Sequence, residues 1–205
     1  MYTMELIELK DPFFYKIARP IIKCFVLITY RPKIIGKENI LIDKPLILAG
    51  NHTHYFDSIL LISSTKRCIR FLAKDSLYKG IKKVLFKNMG IIPVNRKTKN
   101  KKAVESAEKV LINKGLIGIF PESTINRTKD IIMPFKIGAV KMASDTNSYI
   151  VPFSITGKYK LFKNELKIIF EKPYKVTDEN LEKENQKLMN TVSNLIKRGR
   201  DNGNY

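Results

Sequence analysis

Leu46-Ile47-Leu48-Ala49-Gly50-Asn51-His52-Thr53-His54-Tyr55-Phe56-Asp57-Ser58-Ile59-Leu60-Leu61 is the stretch whose reading decides the fold. Its first four residues are apolar without alternation, the pattern of a strand covered on both faces. A polar loop follows, and Asp57-Ser58-Ile59-Leu60-Leu61 reads as the start of a helix. A buried strand running into a loop and then a helix is the repeating unit of a parallel α/β sheet, and ligands gather at the carboxyl ends of such strands.

The same alternation extends in both directions. Further short apolar runs predict strands at Lys33–Gly36, Cys68–Ala73, Gly90–Pro93, Leu116–Phe120, Tyr149–Thr156 and Leu166–Phe170. Helical patterns occupy Phe56–Ser64, Leu77–Asn88, Lys101–Asn113 and Lys136–Ser144, and a last helix is expected to start near Asp178 as its N-cap, with Leu181, Leu188, Val192 and Leu195 on one stripe. No repeat, low-complexity tract or linker interrupts the series. The expected class is α/β: a single domain with a mixed, largely parallel sheet flanked by helices.

At 205 residues the chain is long enough for one substantial core and short for two. It carries 38 Lys and Arg against 19 Asp and Glu, a net charge of +19 that predicts attraction to a polyanion: nucleic acid, an anionic membrane face or phosphate-bearing substrates. Two cysteines, Cys24 and Cys68, cannot build a disulfide framework, which suits a reducing compartment. No apolar run approaches the ~20 residues that span a bilayer, and Ile21–Tyr30 is broken by Lys23. With no charged-then-apolar leader at its start, the sequence predicts a cytosolic chain.

The N-terminal segment has a different pattern. Phe14, Ile17, Ile21, Phe25 and Ile28 share one side of a helical wheel, with Lys16, Arg19 and Lys23 opposite. Such an element suits an anionic membrane surface or, equally, the outside of a core. Pro20 removes a backbone donor and predicts a break, hence an amphipathic two-helix motif within residues 1–32 ahead of a main domain at 33–205.

Chemistry concentrates around the only two histidines, His52 and His54. With His52 in the loop and Asp57 in the first helical turn, the carboxylate can turn back onto the imidazole. It would accept from Nδ1–H, fix the tautomer and leave Nε2 as a base. Loop and helix capping is the bland alternative for the pair. A zinc site lacks a third histidine, so no metal is expected. Two more strand ends carry arginines: Met89-Gly90-Ile91-Ile92-Pro93-Val94-Asn95-Arg96 and Ile119-Phe120-Pro121-Glu122-Ser123-Thr124-Ile125-Asn126-Arg127. Arginines converging beside a base would form a phosphate clamp.

In order and content these blocks resemble the glycerolipid acyltransferases, in particular the lysophosphatidic acid (1-acyl-sn-glycerol-3-phosphate) acyltransferases. Asn51-His52 with Asp57 matches the family's Asn-His-x4-Asp block, and Gly90 with Arg96 matches its Gly-x6-Arg block. Phe120-Pro121-Glu122-Ser123-Thr124-Ile125 resembles Phe-Pro-Glu-Gly-Thr-Arg. Pro134-Phe135-Lys136-Ile137-Gly138-Ala139 and Val151-Pro152 follow in place, and Phe71 to Leu77 resembles the segment in which a lysine, here Lys74, contacts phosphate. The match runs from about Gly36 to Gly157. Ser123 stands where the family has glycine, and Ile125 where it has the phosphate-binding arginine; Arg127, two residues on, is the candidate replacement.

The resemblance implies acyl transfer from acyl-CoA or acyl-carrier protein to the free hydroxyl of lysophosphatidic acid, giving phosphatidic acid in phospholipid biosynthesis. His52 is the implied base and Asp57 its partner, with main-chain N–H groups near the third block as oxyanion donors. Lys74 and Arg96 are the implied phosphate ligands, either joined by Arg127 as the replacement guanidinium or holding the phosphate without it, and Asn51, Gly90, Glu122, Ser123, Thr124, Val151 and Pro152 support the loops. No cofactor is implied beyond the thioester co-substrate. A membrane-lying N-terminal helical motif and a peripheral position on the cytoplasmic face of the cell membrane are implied, with anionic lipid, a lysophospholipid acceptor and acyl-carrier protein as partners. Glycerol-3-phosphate, another lysophospholipid or a glycolipid precursor are the alternative acceptors. A non-catalytic module binding membrane or nucleic acid is the alternative of another class, and no nucleic-acid recognition motif is present.

Overall fold

A computed structural model describes residues 11–41, 43–77, 80–94, 101–177 and 179–201. Among them the elements run α1 (Phe13–Thr29), β1 (Lys33–Ile35), β2 (Leu46–Gly50), α2 (Asp57–Ser64), β3 (Ile69–Lys74), α3 (Ile81–Asn88), β4 (Ile92–Val94), α4 (Lys101–Ile112), β5 (Leu116–Ile119), α5 (Gly138–Asp145), β6 (Tyr149–Thr156), β7 (Lys167–Phe170), β8 (Tyr174–Lys175) and α6 (Leu181–Asp201). The strands form one sheet in the order β1-β7-β6-β2-β5-β3-β4, with β8 on β6. Pairing is parallel from β6 through β2, β5, β3 and β4, and between β1 and β7; β6 pairs antiparallel with β7 and β8. This is the α/β class, with a mixed and largely parallel sheet.

Side chains alternate across the central strands and feed two cores. Leu46 and Leu48 of β2, with Val151, Phe153 and Ile155 of β6, pack under α1 and α2. Ile47, Ala49 and Ile150 face α4, α5 and α6. Both faces are covered, so all five residues of β2 are buried, as its unbroken apolar run requires.

Pro152 sits inside β6 without cost to the ladder. On its outer side β6 pairs with β8 at Tyr149 and Ile150 and with β7 from Phe153 onward, so the missing N–H falls in the gap between them. Val151, its neighbour, is paired with Leu48 of β2. Gly50 is required by close approach: a Cβ there would stand 2.2 Å from the Phe153 carbonyl oxygen. Gly90 has a different reason. It takes φ +70° just past α3, where Ile91 N–H reaches back to the Phe86 carbonyl at 3.0 Å. It is the left-handed residue that ends a helix and starts β4.

Three expectations need correction. α1 runs continuously through Pro20 where a break into two helices was expected. Pro20 forfeits one hydrogen bond, but side chains on the flanking turns hold the helix in place from both ends. The buried Tyr15 hydroxyl donates to the Arg67 carbonyl at 3.2 Å and accepts from Ile69 N–H at 3.1 Å, and Arg19 Nε donates to the Thr65 carbonyl at 2.6 Å. Val26 and Tyr30 are buried beyond the proline. Second, α6 is capped by Asn180, whose Oδ1 accepts from Lys183 N–H at 3.1 Å; Asp178 lies outside the described residues. Third, the two-residue β8 was not anticipated, being too short for any periodicity.

Candidate active site

His52 leaves the carboxyl end of β2, and Glu122, Lys74 and Thr156 leave or end β5, β3 and β6 on that same edge. The first turn of α2 returns Asp57 beneath the loop. His52 Nδ1 and Asp57 Oδ2 are 2.8 Å apart, with Asp57 fully buried and the imidazole 18% exposed. The same Oδ2 accepts from Thr53 N–H at 2.6 Å and His54 N–H at 2.8 Å. Oδ1 accepts from the Tyr159 hydroxyl at 2.6 Å and from Thr53 Oγ1 at 3.2 Å. A buried carboxylate is stable only when hydrogen bonds meet its lone pairs, and among the described residues five groups do so.

With Nδ1–H committed to Asp57, Nε2 is the nitrogen that can take a proton. The Phe120 ring stacks on the imidazole at 4.1 Å and 15°, fixing its plane. Tyr159 arrives from the β6–β7 connection, 102 residues away in sequence from Asp57. Burial, and then the Asp57 charge, drive its phenol far above the usual range, so it remains a donor. Nothing local in the sequence marked it. The pattern that could have found it is an aromatic residue close behind the Val151-Pro152 block, just past the end of the strand that pairs with β2.

Glu122 is nearly inaccessible and acts on the backbone. Its Oε1 accepts from His52 N–H at 2.8 Å and its Oε2 from Met133 N–H at 2.9 Å. Desolvation raises its pKa above the ordinary carboxylate value, and the two N–H donors offset part of that rise. Asn126 N–H donates to the His52 carbonyl at 2.8 Å, a second tie between the two loops. Asn51 closes the other side: its amide donates to the Ile155 carbonyl at 2.9 Å and accepts from Ile155 N–H at 2.7 Å.

Ser123 occupies φ +62°. This is the left-handed region that glycine enters freely, so the residue standing in place of glycine keeps the turn that glycine would make. Thr124 is exposed beside it and Ile125 half-buried. Arg127 reaches the His52–Asp57 loop from the far side, donating from Nη2 to the Tyr55 hydroxyl at 3.0 Å. Lys74 is exposed at the end of β3, two strands from His52. Among the described residues, no hydrogen bond joins it to His52 or Arg127. Arg96 lies outside the described residues.

Cys68 is buried under α1, and burial pushes its thiol up to about 12, so it is no thiolate nucleophile near neutral pH. Cys24 is exposed on α1. Among the described residues no three His, Cys, Asp or Glu side chains gather as a metal-binding group, and no helix is long and apolar enough to cross a membrane.

The arrangement can deprotonate a hydroxyl beside an arginine-bearing loop, and comparison with known proteins gives the family. The chain is 33% identical over 132 residues to a 1-acyl-sn-glycerol-3-phosphate acyltransferase of Borreliella burgdorferi, a match covering 63% of this chain and 52% of that protein. The match thus spans about half the length of that relative. It is 28% identical over 171 residues to a protein of the same name from Bacillus subtilis, covering 80% of this chain and 84% of that one. The crystal structure of the 1-acyl-sn-glycerophosphate (LPA) acyltransferase PlsC from Thermotoga maritima superposes with a TM-score of 0.69 at 20% identity, over 90% of this chain and 80% of that chain, a likeness of fold. The family model described as Acyltransferase matches residues 31–156, from just before β1 to the end of β6, which includes His52, Asp57, Glu122 and Arg127 and stops three residues short of Tyr159. The chain belongs to the acyltransferase family.

Proposed function

We propose that this protein transfers a fatty acyl group from a thioester, acyl-CoA or acyl-carrier protein, to the free hydroxyl of lysophosphatidic acid. The observation that carries this reading is the His52–Asp57 pair at 2.8 Å, with the carboxylate fully buried. The acceptor hydroxyl gives its proton to His52 Nε2 as its oxygen bonds to the thioester carbonyl carbon. Asp57 stabilises the imidazolium that forms. Collapse of the tetrahedral intermediate breaks the C–S bond, and the departing thiolate takes the proton from His52. No acyl-enzyme is needed, because a thiolate is already a good leaving group.

Acceptor phosphate meets the guanidinium of Arg127, with Lys74 at the end of β3 and the motif residue Arg96 as further candidate cations. The names of both relatives support lysophosphatidic acid as acceptor. The protein works at the cytoplasmic face of the cell membrane as a peripheral enzyme. Support comes from α1, whose Phe13, Phe14, Ile17, Ile21, Phe25 and Ile28 are exposed on a chain of net charge +19.

The test is release of free thiol by purified protein supplied with each thioester donor and a panel of acceptors: lysophosphatidic acid, glycerol-3-phosphate and other lysophospholipids. Turnover is expected with lysophosphatidic acid, and loss of turnover in His52→Ala and Asp57→Asn at unchanged fold. Wild-type rates in either folded variant refute the mechanism. A preference for glycerol-3-phosphate reassigns the acceptor.

A further inference from the structure

The β6–β7 connection, residues 157–166, holds two large apolar side chains on the outside of the molecule: Leu161 is 57% exposed and Phe162 59%. Phe162 adopts φ +59°, a left-handed conformation that a bulky residue keeps only where neighbours hold it. The neighbour is α1. Phe162 N–H donates to the carbonyl of Thr29, the last residue of that helix, at 2.5 Å. The tip is thereby fixed to the end of the helix that also carries the exposed Phe25 and Ile28. Tyr159, two residues before Leu161, packs edge-on against Tyr30 with centroids 5.5 Å apart, so the loop is joined to α1 at a second point.

Lysines dominate the charges around the tip. Lys158, Lys160 and Lys163 are all exposed, and Glu165, paired with Lys160 at 3.0 Å, is the one acidic residue of the loop. An apolar tip ringed by ammonium groups matches the boundary of an anionic bilayer, where the apolar side chains enter the acyl region and the lysines meet headgroup phosphates. A protein partner fits less well. Two side chains supply only a small part of the ~1,000 Å² that a specific protein interface buries.

We propose that residues 158–163 form a second bilayer-contact element, which inserts Leu161 and Phe162 into an anionic membrane surface beside α1. This rests on the reading of α1 as the membrane-facing helix. It adds a contact at the β6–β7 end of the catalytic edge, two residues from the tyrosine that holds Asp57.

The chain contains no tryptophan, so single-tryptophan variants report directly. Phe162→Trp, Phe25→Trp on α1 and Val104→Trp on α4, across the sheet, are mixed with vesicles of phosphatidylglycerol and phosphatidylcholine, with and without brominated acyl chains. The indole at 162 is expected to shift its emission to the blue and to be quenched by the brominated chains, as is the one at 25. The indole at 104 should do neither. In co-sedimentation, Leu161→Ser with Phe162→Ser should weaken partitioning roughly 30-fold, since just over half of each side chain is available to the lipid. Leu161→Trp repeats the test should Phe162→Trp fail to fold. A response at 25 with none at 162 or 161 overturns the loop contact and leaves the α1 reading standing; no response at any position overturns both. An equal response at 162 on pure phosphatidylcholine overturns the electrostatic part of the match.

Discussion

Tyr159→Phe removes one oxygen and no volume from the core, and it asks how Asp57 is held. The hydroxyl lies 2.6 Å from Asp57 Oδ1, on a carboxylate with no exposed surface. A hydrogen bond to a charged group contributes roughly 1.5–3 kcal/mol. Among the described residues four donors remain, the other one on Oδ1 being Thr53 Oγ1 at 3.2 Å, so the lower half of that range is expected. For a chain of this size about 1.5–2 kcal/mol lowers Tm by roughly 3–8 °C. The phenyl ring keeps its stacking on His54, at 4.5 Å and 26°, so the loop should stay in place. Activity should fall roughly tenfold if about 1.4 kcal/mol of that support is felt in the transition state. Free-thiol release measured over a range of acceptor concentrations separates kcat from KM, a reading that a merely structural role would leave unchanged. The phenol touches Asp57 and holds the carboxylate that orients His52, so the loss should fall on kcat and leave the KM for the acceptor nearly unchanged. An unchanged Tm with an unchanged kcat would refute the role given to Tyr159.

Arg127→Ala should raise the KM for a phosphorylated acceptor about tenfold or more, leaving that for the thioester donor nearly unchanged; Lys74→Ala and Arg96→Ala, read in the same steady-state assay, show whether the clamp lies there instead. Ser123→Gly relaxes a left-handed serine at φ +62°. The strain relieved is about 1–2 kcal/mol and the added chain entropy about 0.5–1 kcal/mol, so thermal unfolding should show a small gain in Tm and no loss. Glu122→Gln leaves one of two backbone donors without an acceptor and should cost about 1–3 kcal/mol. Because burial raises the pKa of Glu122, its contribution is fullest below the ordinary carboxylate range and declines as pH rises through the raised value. Paired denaturant titrations should therefore find the penalty smaller at about pH 8 than at about pH 5; a penalty that grows with pH contradicts the assigned direction.

The strands and most helices were legible because a sheet covered on both faces writes itself as unbroken apolar runs, as in β2 and β6. His52 and Asp57 were legible because one loop and one helical turn bring them together within six residues. Tyr159 was not: it is one of two aromatics in a lysine-rich loop, and only the pairing of β6 with β2 places it over the dyad. Glu122 was visible as a motif residue, but its targets, two main-chain N–H groups, have no signature in the sequence. Pro20 misled because local propensity is weak against the anchoring of Tyr15 and Arg19 on one side and the burial of Val26 on the other. The left-handed serine shows the opposite case, in which the turn persists although the residue type has changed.

Asn51 has a consequence for how such a site could be rebuilt. β2 ends at Gly50, yet β6 continues beside it, and the groups of Ile155 that would face the next peptide of β2 meet the Asn51 amide instead. The side chain is a counterfeit peptide, with one donor and one acceptor at peptide spacing. Aspartate lacks the donor, and glutamine carries the same groups one methylene too far. Because the counterfeit completes the ladder, the main chain is released from the sheet a residue early and can turn toward Asp57 while the neighbouring strand runs on undisturbed. Sheet and loop become separable parts. A graft that exchanges the loop at 123–133 can leave this joint intact, whereas one that cuts between Gly50 and Asp57 must bring its own forgery with it.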